Sequence, residues 1–240
     1  MNSIAIMQPT FNPWLGYFDL INKVDKFIFL DTVQLNQQSW QTRNKLKVGN
    51  KEYLVSIPIE KSSSKFDLLI KDVNINKNFP LLRKKLLKTI VQEYKKAEYF
   101  DEVYPFLEDL LNNETRSLCD FNINIIKQIC KKIGINTPFI KASSLEFIED
   151  KKAMLVLGLC KQVRADVYYS PLAAKEYLNS EESKFKEENI SVMYQHYLHP
   201  EYKQLGKDFI PYIGIFDLLL NYGFKNSLEI ILKGTNYENS

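Results

Sequence analysis

The sequence predicts an α/β fold: a Rossmann-like, mostly parallel sheet with a β-hairpin after the second strand and a helical insertion. Three features carry that expectation. Short apolar runs at residues 4–7 and 26–31 enclose a stretch with helical spacing, the pattern of a β-α-β unit. Gly49-Asn50, set between two strand-like segments, marks a tight hairpin. Strands and helices alternate again after residue 135. With 45% of 240 residues hydrophobic and 25% charged, the chain has the composition of a globular protein that buries a core.

Taken in order, Ile4 to Met7 and Lys26 to Asp31 read as strands buried on both faces, because apolar residues follow one another without alternation. Between them, Trp14 to Val24 has Leu15, Phe18 and Ile21 on one helical face. Lys45 to Val48 and Glu52 to Ile57 form the arms of the hairpin, and Ser62-Ser63-Ser64 breaks the pattern. Helices are expected over Pro80 to Tyr94, Tyr99 to Leu111 and Ser117 to Lys132. Thr137 to Ile140, Asp166 to Tyr169 and Ile190 to Tyr194 read as strands, the last of them closing the sheet. Helices fall over Lys151 to Val163, Ala173 to Leu178 and Tyr212 to Leu232, and the polar tail from Gly234 to Ser240 is expected to fray. The chain thus divides into a β-α-β unit plus hairpin over 1–78, a helical insertion over 79–134, and a C-terminal α/β part over 135–240 that completes the same sheet.

Several function classes fall away on charge and composition. A net charge of +3 from 32 basic and 29 acidic residues gives no field to hold nucleic acid. No apolar run is long enough to insert in a membrane, and the first residues lack the regions of a secretory signal, so a cytoplasmic location is expected. Cys119, Cys130 and Cys160 lie far apart in helical patterns and read as reduced core thiols; a catalytic Cys160 is the less favoured reading. Two histidines without further ligands make no metal site. Nothing in the sequence sets an oligomeric state.

Parallel sheets bind ligands beyond the carboxyl ends of their strands. On this reading, Gln8 to Asn12, Asp31 to Gln34, Ser143-Ser144, Ser170 and Gln195-His196 all fall there. In the turn from Gln8 to Gly16, prolines stiffen the backbone while Asn12, Trp14 and Tyr17 can present an amide, an indole and a phenol; the alternative is a hydrophobic plug at a helix start. Trp40 to Lys45 offers Arg43 as a bidentate grip on phosphate or carboxylate, Asn44 as an amide and Lys45 as a point charge, or else is a solvated loop. His196 and His199, in a tyrosine-rich loop with Tyr202 and Gln204, are the candidates for proton transfer. Lys175 reads equally well as a phosphate contact or an exposed helical lysine.

Gln8-Pro9, Pro13 to Phe18, Leu30 to Gln34 and Arg43-Asn44, followed by Tyr177-Leu178, His199 to Gln204 and Phe216 to Gly223, resemble the WbqC-like family in order and over most of the chain. That resemblance implies a setting in bacterial O-antigen and other surface polysaccharide biosynthesis, with a glycine-type aminoacyl transfer to an amino sugar. Many relatives carry His-Gln-Pro where this chain has Met7-Gln8-Pro9, which argues against an obligatory catalytic group at position 7. Ser170 to Ala174 stands where relatives are glycine-rich, which weakens a phosphate cradle there. A looser similarity links Ile4 to Gln34 with nucleotidylyltransferase-type folds, including pantothenate synthetases, but the histidine pair those enzymes use is missing.

The expected activity is an N-acyl or aminoacyl transfer onto the amine of a nucleotide-linked amino sugar. The donor would be an activated acyl group, either an acyl-adenylate made from ATP or a thioester. His199 or His196 would act as base, oriented by Asp31; Gln8, Asn12 or helix N–H groups would hold the oxyanion; Arg43 and Lys45 would hold an anionic group. Gln34, Trp40, Ser170, Tyr202 and Gln204 complete the expected substrate contacts. The alternatives are a non-catalytic nucleotide-sugar binding or scaffold protein and a nucleotidyltransferase-like enzyme.

Overall fold

The computed structural model describes residues 1–36, 39–60 and 68–239, so Ser62-Ser63-Ser64 and the final Ser240 lie outside the described residues. The first unit is β1 (Ser3–Met7), α1 (Leu15–Lys23) and β2 (Lys26–Phe29). The hairpin follows as β3 (Arg43–Val48) and β4 (Lys51–Ser56), turning at Gly49 with φ 59°. Then come α2 (Phe79–Tyr94), α3 (Phe100–Leu111), α4 (Leu118–Ile133), β5 (Phe139–Lys141), α5 (Lys152–Gln162), β6 (Val167–Pro171), the short helices α6 (Lys175–Leu178) and α7 (Glu182–Glu187), β7 (Ser191–Gln195), α8 (Ile215–Leu232) and β8 (Tyr237–Asn239).

The main sheet runs β5-β2-β1-β6-β7-β8, with every pair parallel except β7 and β8. Counting only the parallel strands in chain order gives 3-2-1-4-5, the doubly wound arrangement that reverses direction between β1 and β6. The apolar runs explain why: Ala5, Phe27 and Phe29 enter one core, while Ile4, Ile6 and Ile28 enter the other. A strand apolar on successive residues must be covered on both sides. One face packs α1, α4 and α8, and helices α2 and α3 bury side chains in that same core. The other face packs α5, α6 and α7.

Three expectations need correction. Ile190 to Tyr194 does not close the sheet, because β8 pairs antiparallel with β7, with Gln195 opposite Tyr237. The tail is therefore not frayed over 237–239: Tyr237 Oη donates to Asp19 at 2.7 Å, and Thr235 donates to the same buried carboxylate. An isolated polar tail gives no local signal of this, since its partners lie on α1 and β7. The segment Ala173 to Leu178 is also less regular than expected, a 3-10 turn over 172–174 leading into α6.

Candidate functional site

The turn 8–14 leaves β1 at the sheet's carboxyl edge and is fixed on several sides. Phe11 N–H donates to Trp40 O at 3.0 Å, and Asn44 Nδ2 donates to the carbonyls of Phe11 and Asn12 at 3.0 and 2.8 Å. Buried Asn122, on α4, donates to Pro9 O and Gln41 O. Gln41 Nε2 donates to Gln8 Oε1 at 2.5 Å, which leaves the Gln8 amide N–H groups to donate elsewhere. The expected walls 8–14 and 40–45 thus touch directly. They do not face each other across a gap.

Within the turn, Asn12 is buried at φ 44°, a left-handed conformation that asparagine tolerates. Its Oδ1 accepts from Phe216 N–H at 3.1 Å, so it caps α8 from a distance, and Nδ2 is the part of the amide that can donate. Tyr17 is buried as well, its hydroxyl donating to Gln8 O at 3.0 Å, which makes it a core group and no ligand contact. Trp14 alone of the three reaches outward. Its indole lies over Gly16, where an added Cβ would come within 2.2 Å of the ring.

That indole meets Tyr197 at 5.3 Å and Tyr212 at 5.8 Å between ring centroids. Behind them sits His199, with Tyr212 at 5.0 Å, Phe209 at 5.8 Å, Tyr202 at 6.1 Å and Tyr197 at 6.4 Å. His199 Nδ1 lies 3.1 Å from Pro200 O. A carbonyl only accepts, so this contact places the proton on Nδ1 and a lone pair on Nε2. Nε2 is buried without a hydrogen-bond partner. Burial lowers the imidazole pKa below its ordinary value, only partly offset by the Pro200 contact, so the ring is neutral at pH 7. Tyr212, at φ 57° and 53% exposed, covers the ring from the solvent side.

Beneath this aromatic chamber lies a polar cluster. Asp217, fully buried in the first turn of α8, accepts from Tyr94 Oη and Tyr202 Oη, both at 2.9 Å. Burial pushes its carboxyl up to about 6, opposed by the two hydroxyls and the charge of buried Lys47. Gln204 holds the 204–210 loop through both the N–H and carbonyl of Ile210. Tyr202 and Gln204 are thus supports of the chamber. Phe209, Tyr212 and Asp217 escaped sequence reasoning, although a lone acid in the apolar stretch Ile213 to Leu220 was a readable signal.

The remaining residues fall elsewhere. Asp31 does not orient a histidine: its buried carboxylate accepts from Ser143 N–H at 2.9 Å and Ser143 Oγ at 2.5 Å, tying β2 to β5. The Cys119 thiol lies 4.0 Å from it and is pushed up to about 12 by burial and that negative charge. His196 follows β7, its N–H donating to Asn236 O. Ser170 is buried inside β6, not beyond its end. Lys45 is on β3 and pairs with Glu52 at 2.8 Å, whereas Arg43 has a buried Nε with no hydrogen-bond partner. Trp40 is 49% exposed, and Lys175 lies over the Tyr194 ring at 5.1 Å. Gln34 lines a cavity of about 570 Å³ at the ends of β2 and β5, on the sheet face opposite the chamber. Among the described residues no cluster of His, Cys, Asp and Glu is placed to hold a metal, and no helix is long and apolar enough to cross a membrane.

A similar protein is the uncharacterized protein Rv1507c of Mycobacterium tuberculosis, 31% identical over 225 residues, covering 93% of this chain and 95% of that one. No solved structure matches. The profile of the WbqC-like protein family matches residues 8–229, a span that holds the β1 turn, the Asp31 staple, the aromatic chamber and most of α8; the chain belongs to the WbqC-like protein family.

Proposed function

We propose that the protein is an N-acyl or aminoacyl transferase, of the glycine-transferring type, acting on the amine of a nucleotide-linked amino sugar in bacterial surface polysaccharide synthesis. The observation that carries this reading is His199: a neutral imidazole with an unpaired, buried Nε2 inside a wall of aromatic rings. Acyl transfer to an amine needs such a base. The amine nitrogen attacks the activated carboxyl carbon, Nε2 takes the amine proton, and the leaving group departs with its electron pair and then receives that proton. The rings of Trp14 and Tyr212 offer flat faces to the apolar side of a sugar, and the Gln8 amide can donate to the developing oxyanion. Arg43, unpaired, is the cation left for an anionic part of donor or acceptor. Tyr212, more than half exposed, is the ring that would swing aside to admit a substrate.

The test is turnover of amino-sugar nucleotides with acyl-adenylate and thioester donors by wild type and His199→Ala. The variant is expected to lose about 100-fold or more in kcat with substrate affinity kept. The wild-type rate should fall on the acid side below pH 6.5, the ordinary histidine value, as the ring protonates. Absence of turnover with every donor, or a fully active His199→Ala, overturns the proposal.

A further inference from the structure

The cavity at the ends of β2 and β5 contains neither His199 nor any residue of its chamber. At about 570 Å³ it has the size of a small-molecule site, and it lies where parallel sheets bind ligands. Its floor is apolar, formed by Val33, Ile148, Leu155 and Leu159. At its mouth stands Phe147, 87% exposed. The backbone that carries this ring is anchored on both sides. Gln162 accepts from Glu146 N–H at 2.9 Å and donates to Glu146 O at 3.0 Å. Ile148 packs into the notch at Gly158, where an added Cβ would come within 2.8 Å of it. The Asp31 carboxylate fixes the remaining wall through Ser143. Lys71, Lys151 and Lys152 share the mouth with Glu146, Glu149 and Asp150, so it carries no net charge and offers phosphate alone little attraction.

We propose that this cavity is a nucleotide site, which holds the base between the Phe147 ring and the apolar floor and leaves the phosphates to the lysines at the mouth. A flat heteroaromatic ring gains from stacking on one side and burial on the other. The carboxylates of Glu146, Glu149 and Asp150 at the mouth accept from ring or exocyclic N–H groups. The site does not depend on the acyl-transfer reading.

Calorimetric titration with ADP, GDP, CDP and UDP tests it. At least one is expected to bind with Kd below about 1 mM, while inorganic pyrophosphate neither binds comparably nor displaces it. Phe147→Ala, at an exposed position that leaves the fold intact, should weaken binding about fivefold or more, and Lys71→Glu should weaken the diphosphate more than the nucleoside. His199→Ala should bind nucleotide as wild type does, even where it has lost turnover. No binding by any of the four, pyrophosphate binding as tightly, or affinity indifferent to Phe147→Ala overturns the proposal.

Discussion

Asp217 shows how far one residue's environment can depart from what its type implies. Its carboxyl, raised by burial from an ordinary 3.8 to about 6, holds a proton more tightly in the folded than in the unfolded chain. The associated stability is fully present below about pH 3.8 and is lost as pH rises through about 6. The difference is on the order of 3 kcal/mol by pH 7. Urea denaturation of wild type and Asp217→Asn at pH 4 and pH 7 should show the variant gaining about that much relative to wild type at the higher pH; parallel profiles would refute the assignment. His199 was visible in the sequence as a rare proton carrier in a polar loop. Of its four aromatic neighbours, Tyr197 and Tyr202 belong to the same tyrosine-rich loop, whereas Phe209 and Tyr212 come from the segment beyond it, and Trp14 reaches Tyr197 and Tyr212 from the turn after β1, which no local pattern records.

Helix α4 carries its own limits: Ser117 Oγ accepts from Asp120 N–H at 3.1 Å, and Gly134 ends the helix at φ 88°. Such signals are local, and the sequence reading placed this helix within a residue at each end. Helix α8 differs. It begins at Gly214 with no capping side chain of its own, and its cap is Asn12, on the turn after β1. Asn12→Ala removes both the cap and the residue suited to φ 44°, an expected loss of about 2 kcal/mol in urea denaturation. Gly214→Ala should cost at least as much, since its Cβ would sit 2.0 Å from Asn12 Nδ2. If both variants unfold at the wild-type midpoint, α8 is not held this way. The kink at Gly223, φ 69°, was equally hidden, because Tyr99, just before α3, packs against it.

For the molecule as a whole, the C-terminal strand closes one edge of the sheet and satisfies an acid buried on α1. Removing residues 234–240 would leave Asp19 with Gln195 as its side-chain partner and uncover the edge of β7. A loss of about 2–4 kcal/mol is expected from the stranded carboxylate and broken hydrogen bonds. Thermal unfolding of the truncated chain is the measure, and an unchanged midpoint would show the tail to be dispensable. The sheet itself separates the two candidate sites, with the His199 chamber on the face of α1 and α8 and the cavity of about 570 Å³ on the face of α5. A cleft along one edge, as the sequence reading implied, would have joined them.

By itself the sequence determined every strand but β8, the hairpin and the parallel character of the sheet, because continuous apolar runs, Gly49-Asn50 and helical periodicity act over neighbouring residues. It also marked the turn after β1 and the His199 loop as unusual. Only the tertiary structure decided what those residues do: Tyr17, Asp31 and the amide oxygen of Asn12 are spent on the fold, while His199 keeps its Nε2. The reason is physical. A buried polar group is ordinarily paired, and its partner is set by the packing of segments up to 218 residues apart, which no local pattern records.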